Sequence, residues 1–230
     1  MTFPESPAGS GASAGYDLLV ERLIPGYASL ARLSVALLAA SPLASARAAS
    51  VLVAGCGTGA ELLEARAQRP DWQLTALDPS EAMLAVARSR VPEPGAISWQ
   101  CSTVEAMAAE DCFEGALSVL VLHSLPDDGS KLAFLSALAR SLRPGGQLVL
   151  VDLMQPERSP LRSQVEEAWL GYQRAGGLET AAASNDGVIG AHHPIGDARL
   201  TALVEAAGFS DPAPVFRALD FEGFLLQRRA

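Results

Sequence analysis

Residues 51–59 read Val-Leu-Val-Ala-Gly-Cys-Gly-Thr-Gly. The four apolar residues predict a short buried strand. Glycines at alternate positions of the remainder predict a sharp turn in which the backbone can approach a ligand closely. A helical pattern follows at once, so the unpaired N–H groups of its first turn would face the same point. A plain strand-to-helix turn is the alternative interpretation of the glycines taken alone.

A second signal lies at the end of the next apolar run, where Leu77-Asp78-Pro79 follows Gly59 by about 20 residues. An acid at this distance is placed to accept hydrogen bonds from both hydroxyls of a ribose. Asp78 also suits the N-cap of the following helix, and the two roles are compatible. Together the two signals predict an adenosine-type site at the carboxyl ends of a parallel sheet.

The rest of the chain alternates short apolar runs with helical patterns, which is typical of βαβ units. We predict a single α/β domain over residues 16–230, built on a doubly wound, seven-stranded, mostly parallel sheet. An N-terminal helical lid is expected at 16–47 and a C-terminal cap segment at 154–196, after a flexible tail at 1–15. The predicted strands are 51–54, 74–77, 96–101, 116–122, 147–153 and an antiparallel pair at 214–219 and 221–227.

Composition narrows the classes of function. The 230 residues carry a net charge of −9, which disfavours a protein that grips nucleic acid. The longest apolar stretch, 35–49, is interrupted by polar residues and proline, which argues against a membrane span. Three cysteines without metal-ligand spacing predict free thiols, no metal site and a reducing, cytoplasmic location. We expect a small-molecule acceptor as the partner, and a homodimer is compatible with the sequence.

Four motifs resemble those of class I S-adenosylmethionine-dependent methyltransferases, in family order and spacing. Besides 51–59 they are Leu-Asp-Pro-Ser-Glu-Ala-Met-Leu at 77–84, Val-Leu-Val-Leu-His-Ser-Leu-Pro-Asp at 119–127 and Leu-Arg-Pro-Gly-Gly-Gln-Leu-Val-Leu-Val-Asp at 142–152. The resemblance covers about residues 48–153. It implies a Rossmann-like methyltransferase fold, S-adenosyl-L-methionine as the cofactor and S-adenosyl-L-homocysteine as its product.

The resemblance also assigns cofactor-binding positions. The methionine part would lie on the turn, and Asp78 would hold the ribose. The remaining positions surround the adenine and the end of the fourth strand; Met83 could equally be a core residue. The full set implied is Gly55, Cys56, Gly57, Thr58, Gly59, Asp78, Pro79, Met83, Ser102, Thr103, Val104, Val119 and Leu120. The chain departs from the family at Val53, where most members carry an acid, at Ser102 and at Val119, so its cofactor site is less polar than usual.

The flanks, near residues 16–27 and 206–224, resemble carboxy-S-adenosylmethionine synthases, whose reaction modifies the cofactor itself. Tyr27 matches a tyrosine that contacts the cofactor in that family. Asn185 stands where that family has an arginine that clamps the added carboxylate, and Val119 replaces an asparagine. Because asparagine cannot supply a bidentate charge, both changes argue against the carboxylating activity.

Methyl transfer from a sulfonium needs a base only if the acceptor must lose a proton. His123, His192 and His193, the three histidines of the chain, are the candidate catalytic residues. The alternatives are a buried or helix-capping His123 and an exposed loop pair at 192–193. Candidate acceptor contacts are Tyr16, Arg162, Trp169, Tyr172 and Asn185, although helical spacing could equally place the aromatic residues in the core.

The sequence therefore predicts S-adenosylmethionine-dependent methyl transfer to a small organic acceptor. Two alternatives are carboxy-S-adenosylmethionine synthase-like modification of the cofactor and a non-catalytic protein that binds an adenosyl ligand. The sequence leaves the methylated atom open, since a carbon next to a carbonyl, a phenol and an amine all fit.

Overall fold

The computed structural model describes residues 10–91, 97–156, 158–178 and 192–230, with residues 10–15 described by their backbone alone. The strands are β1 Ser50–Ala54, β2 Gln73–Asp78, β3 Ile97–Cys101, β4 Phe113–Val119, β5 Leu142–Leu153, β6 Ala213–Ala218 and β7 Phe221–Gln227. The helices are α1 Ser10–Leu23, α2 Tyr27–Ala39, α3 Ala60–Gln68, α4 Glu81–Arg90, α5 Ser130–Ser141, α6 Arg162–Ala175 and α7 Asp197–Ala207.

The seven strands form one sheet in the order β3-β2-β1-β4-β5-β7-β6. Strands β1 to β5 pair in parallel, and β7 pairs antiparallel with both β5 and β6. The predicted doubly wound, mostly parallel sheet is confirmed, including the antiparallel pair at the end of the chain. The strand order reverses between β1 and β4, so their carboxyl ends open a crevice of the kind in which α/β proteins bind ligands.

Alternate residues of the central strands face two separate hydrophobic layers. On β1, Val51 and Val53 belong to the layer that contains α2, α3 and α4, whereas Leu52 and Ala54 belong to the layer that contains α5 and α7. Strands buried on both faces need continuous apolar sequence, which explains why these runs do not alternate with polar residues. The two layers fix the sheet and thereby the positions of the strand ends.

A third cluster joins the N-terminal helices to the far end of the sheet. Val20, Leu23 and Ile24 are buried against Phe221 of β7, with Trp169 of α6 packed on them. The Trp169 indole N–H donates to the Leu23 carbonyl at 2.7 Å, and the ring meets Phe221 edge-on at 5.9 Å between centroids. Helix α1 is thus held by α6 and β7, as a lid attached to the cap.

Several element boundaries differ from the sequence prediction. Strand β4 ends at Val119 rather than at Leu122, because Leu120 has a left-handed backbone with φ 58° and a 3-10 turn follows. Helix α1 begins at Ser10, since adding a residue to an existing helix gains a hydrogen bond even in a small-residue segment. Strand β5 begins at Leu142 rather than at Gln147, directly after α5 ends at Ser141.

No helix among residues 10–91, 97–156, 158–178 and 192–230 is both long and apolar enough to cross a membrane. Of the cap segment, the part from 179 to 191 lies outside the described residues, as do residues 1–9 of the expected tail.

Candidate functional site

The glycine turn leaves β1 at its carboxyl end and enters α3 directly. The N–H groups of Gly55 and Cys56 both donate to the Leu77 carbonyl of β2, at 2.8 and 3.0 Å. Gly55 has φ 73°, and a Cβ built on it would lie 2.3 Å from Cγ2 of Val121, so a side chain cannot be accommodated there. Gly57 has φ 48° and nothing within 4 Å of the corresponding position, so the tip of the turn is open. The turn therefore offers bare backbone to a ligand.

Asp78 at the end of β2 locks this turn to the next strand. Its Oδ2 accepts the Gly57 N–H at 2.9 Å, and its Oδ1 accepts the Ser80 N–H at 2.8 Å. Burial raises the pKa of this carboxyl, and the two backbone bonds oppose that shift. The N-cap of α4 is Ser80, whose hydroxyl accepts the Met83 N–H at 3.3 Å, so the capping role considered for Asp78 belongs to Ser80. Each carboxylate oxygen of Asp78 keeps a second lone pair for a further donor.

The lid reaches the turn through a carboxylate that the sequence analysis did not select. Asp17 of α1 accepts the Thr58 hydroxyl at 2.7 Å and pairs with the Arg90 guanidinium at 2.5 Å. Arg90 also donates to the Thr58 carbonyl at 3.0 Å. Lid, glycine turn and the end of α4 are thus tied together at one point.

A second unselected carboxyl lies beside this point. Glu61, in the first turn of α3, is only 7% exposed. Burial, with a further contribution from Asp17, raises its pKa to about 7, while Arg90 opposes the shift. The signal for it is present in the sequence, because Glu61 shares a buried helix face with Leu62 and Ala65. Asp17 carries no comparable signal, since its partners lie far away along the chain.

The other predicted cofactor positions gather at the carboxyl ends of β1 to β4, as expected. Their side chains differ in burial: those of Cys56 and Val104 are enclosed in the two core layers, so only their backbone can face a ligand. Pro79 and Thr103 are exposed, and Met83, Ser102, Val119 and Leu120 are partly buried. Tyr27 begins α2, and burial raises its pKa.

All three histidines lie together beyond the end of β4. The His123 side chain is buried, and its Nδ1 lies 2.6 Å from Oδ1 of Asp152 on β5. Because a carboxylate only accepts hydrogen bonds, Nδ1 carries a proton. The His192 ring lies 5.5 Å from the His123 ring, and the His193 N–H donates to the His123 carbonyl at 2.7 Å. The exposed fraction of these residues rises from His123 through His192 to His193.

Asp152 holds more than the imidazole. Its Oδ2 accepts the N–H groups of Val121 and Leu122 at 3.1 and 2.6 Å, and its Oδ1 accepts those of His123 and Leu153 at 3.0 and 2.8 Å. The left-handed Leu120 turns the chain so that successive N–H groups converge on this carboxylate. Such a backbone nest favours an anion, which here is a buried side chain of the protein itself.

Four of the five predicted acceptor contacts fall within the described part of the chain; Asn185 lies outside it. Arg162 forms two bonds of 2.7 Å with the Asp220 carboxylate, and the Tyr172 hydroxyl donates to the Glu21 carbonyl at 3.0 Å. The polar atoms of Arg162, Trp169 and Tyr172 therefore support the lid and the β6–β7 turn. Tyr16 lies in the lid cluster, and burial followed by the charge of Asp17 raises its pKa.

Comparison with known proteins agrees with the fold and the turn. Residues 51–146 match the family described as "Methyltransferase domain". The ubiquinone biosynthesis O-methyltransferase of Stutzerimonas stutzeri (strain A1501) is 41% identical over 101 residues, which are 43% of this chain and 41% of that protein. The demethylmenaquinone methyltransferase of Tropheryma whipplei (strain Twist) is 32% identical over 108 residues, 47% and 43% of the two chains. The chain thus spans less than half the length of these relatives.

Among solved structures, the 1,6-didemethyltoxoflavin-N1-methyltransferase of Burkholderia thailandensis, with bound 1,6-didemethyltoxoflavin and S-adenosylhomocysteine, has the same fold. The TM-score is 0.60 at 19% identity, over 100% of this chain and 94% of that one. None of these three relatives is a carboxy-S-adenosylmethionine synthase, so that alternative gains no support from them. Strand order, the glycine turn and Asp78 agree with the match of residues 51–146 to the methyltransferase domain family.

Proposed function

We propose that the chain transfers a methyl group from S-adenosylmethionine to a small organic acceptor. The observation that carries the proposal is the open glycine turn at Gly57, hydrogen-bonded to the carboxylate of Asp78 at the end of the neighbouring strand. This pairing joins a surface of bare backbone with a buried acid at one edge of the sheet. A ligand with a ribose and a flexible polar tail matches both parts.

The residues present fit the cofactor. Asp78 would accept the ribose hydroxyls with its remaining lone pairs, while the turn from Gly55 to Gly59 would line the methionine part. Met83 and Ser102, both partly buried, would border the adenine. When bound, S-adenosylmethionine supplies an electrophilic methyl group on sulfur, so the protein contributes mainly position and exclusion of water.

The acceptor would enter from the side of the lid. Helix α1 rests on α6 through hydrogen bonds from Trp169 and Tyr172, so both residues fix the wall of this entrance. Tyr16 is the proposed direct contact, since it lies on the lid close to Asp17 and Asp78. Because two of the relatives are named for ubiquinone biosynthesis and for demethylmenaquinone, phenols and quinone rings are the first acceptors to screen.

For acceptors that lose a proton, we propose the histidine group as the base. The Asp152 carboxylate holds the proton on Nδ1 of His123, which leaves its Nε2 as the basic atom of that ring in the neutral state. His192 and His193 are the more accessible members. Cytoplasmic location and a homodimer stay predictions.

The proposal is tested by asking whether the protein binds S-adenosylmethionine or S-adenosylhomocysteine. The purified protein is denatured and the released small molecule is identified by mass spectrometry, followed by calorimetric titration with S-adenosylmethionine and S-adenosylhomocysteine. We expect one of these ligands to be released or to bind at about micromolar strength, a free energy of about −8 kcal/mol. Formation of S-adenosylhomocysteine with phenolic acceptors then identifies the acceptor class. A protein that carries and binds neither ligand would refute the proposal.

A further inference from the structure

Three carboxyl groups surround the glycine turn from three different elements. Asp78 comes from β2, Glu61 from the first turn of α3 and Asp17 from the lid. The Arg90 guanidinium is the cation among these groups, and it is already engaged by Asp17 at 2.5 Å and by the Thr58 carbonyl at 3.0 Å. The site therefore carries more negative than positive charge before any ligand enters.

The three acids differ in their partners. Asp78 accepts two backbone N–H groups, and Asp17 has the Thr58 hydroxyl and Arg90. Glu61 is only 7% exposed, and among the described residues no hydrogen bond or ion pair joins its carboxyl to another side chain. A buried carboxylate without a cation is unfavourable, so this position is suited to a partner that arrives from outside.

Ionisable groups that act electrostatically on Glu61 come from three helices and the turn. They are Tyr16 and Asp17 of α1, Tyr27 of α2, Cys56 of the turn and Arg90 of α4. Two phenols, a thiol and a second acid do not neutralise a carboxylate, and the one guanidinium belongs to Asp17. Within residues 10–91, 97–156, 158–178 and 192–230 no three acids, histidines or cysteines are arranged to hold a metal ion. The expected partner is therefore an organic cation.

We infer that Glu61, with Asp17 beside it, binds the ammonium group of the amino-acid end of S-adenosylmethionine. This inference rests on the proposed function and identifies which residue recognises that end of the ligand. Asp78 fixes the ribose at the end of β2, and Glu61 lies past the opposite end of the same turn. An ammonium has three N–H donors for a carboxylate, whereas a sulfonium has none. A carboxylate at the sulfonium would also compete with the acceptor for the methyl group.

Ligand binding then removes a proton from the Glu61 carboxyl. In the ligand-free protein the Glu61 carboxyl has a pKa of about 7, so it is partly protonated near neutral pH. An ammonium beside it favours the ionised form and lowers that pKa, so the proton leaves as the ligand enters. Binding should therefore release protons near pH 7 and weaken as the pH falls below that value.

The test compares three ligands on the full-length protein by calorimetry. S-Adenosylmethionine carries both cationic groups, S-adenosylhomocysteine only the ammonium, and 5′-methylthioadenosine neither. Glu61→Gln should weaken the first two by about tenfold or more and leave the third within about twofold, as expected for one charge-assisted contact. Glu64→Gln, on the same helix, is the matched control and should leave all three affinities unchanged. Titration of wild type in buffers of different ionisation enthalpy should show proton release that Glu61→Gln lacks.

Each other outcome overturns the inference in a distinct way. Unchanged binding of S-adenosylhomocysteine by Glu61→Gln would remove Glu61 from the ligand. Loss confined to S-adenosylmethionine would move the carboxylate to the sulfonium, and equal loss of all three would indicate general damage to the site. Wild-type protein that binds none of the three would refute the proposed function as well. Circular dichroism serves as the folding control. Glu61→Gln should be at least as stable as wild type above pH 7, because it has no buried carboxyl to ionise.

Discussion

Replacing Asp152 by Asn should destabilise the protein strongly although it removes only one charge. The carboxylate accepts four backbone N–H groups and the His123 ring, at distances from 2.6 to 3.1 Å, and the residue is 1% exposed. Asparagine has one acceptor oxygen and one amide donor. If the oxygen takes the place of Oδ1, the amide group faces the N–H groups of Val121 and Leu122, donor against donor.

The magnitude follows from these two bonds. A buried donor left without an acceptor costs about 1–3 kcal/mol, so two of them cost about 2–6 kcal/mol in total. For a chain of this length about 1 kcal/mol corresponds to about 2–4 °C in the melting temperature, so a fall of about 4–24 °C is expected. The loss is large because the strained turn at Leu120 depends on this carboxylate to gather the N–H groups that follow it.

The assay is thermal and urea denaturation followed by circular dichroism, with Asp127→Asn as the matched control. Asp127 makes a bidentate pair with Arg199, but on the surface, so its neutralisation should change stability little. If Asp152→Asn melted within about 2 °C of wild type, Asp152 would not be the anion that organises this turn. Equal melting temperatures for Asp152→Asn and Asp127→Asn would mean that burial of the carboxylate makes no difference to its contribution to stability.

Three further predictions concern the candidate site. Ligand-free wild type should lose about 2.5 kcal/mol of stability as the pH rises from about 5 to about 8, because the folded protein binds the Glu61 proton more tightly than the unfolded chain. Urea titrations of Glu61→Gln should show a correspondingly smaller loss. Gly55→Ala should impair folding, since its Cβ would meet Val121 at 2.3 Å, whereas Gly171→Ala in helix α6 should stabilise by about 0.5–1 kcal/mol in the same melting assay. Asp78→Ala should weaken S-adenosylhomocysteine binding about tenfold or more by calorimetry, and an unchanged isotherm would discard the ribose assignment.

Local sequence patterns were sufficient to predict the central strands and helices of this fold. The strand-turn-helix unit at 51–68 and the acid at Asp78 depend on neighbours in sequence and on backbone geometry, so pattern and residue type predict them. The alternation of strands and helices then predicts the parallel sheet. In such a sheet the ligand site is expected at the carboxyl ends of the strands. The apolar run at 116–122 was misjudged at its end because the left-handed Leu120 is stabilised by Asp152, which lies about 30 residues further along.

Long-range pairs were beyond such reasoning. Asp17 meets Thr58 across 41 positions, and Trp169 meets the Leu23 carbonyl across 146. Nothing local distinguishes an aromatic residue that binds an acceptor from one that packs in the core, so for Trp169 the sequence leaves both roles open. In the structure the indole N–H donates to the Leu23 carbonyl, and a role of Trp169 in acceptor binding stays a prediction.

The placement of charge explains how this site can differ from the family it resembles. The resemblance implies an acid at Val53, but here that residue is 2% exposed within a hydrophobic layer, so β1 brings no charge to the turn. Negative charge comes instead from the helix side, through Glu61, and from the lid, through Asp17. Because Asp17 reaches the turn only when α1 is seated on α6 and β7, the charge that the proposed ligand meets is complete only with the lid in place. We therefore expect ligand recognition to depend on the seating of the lid through Asp17, whereas an acid on β1 would not depend on it.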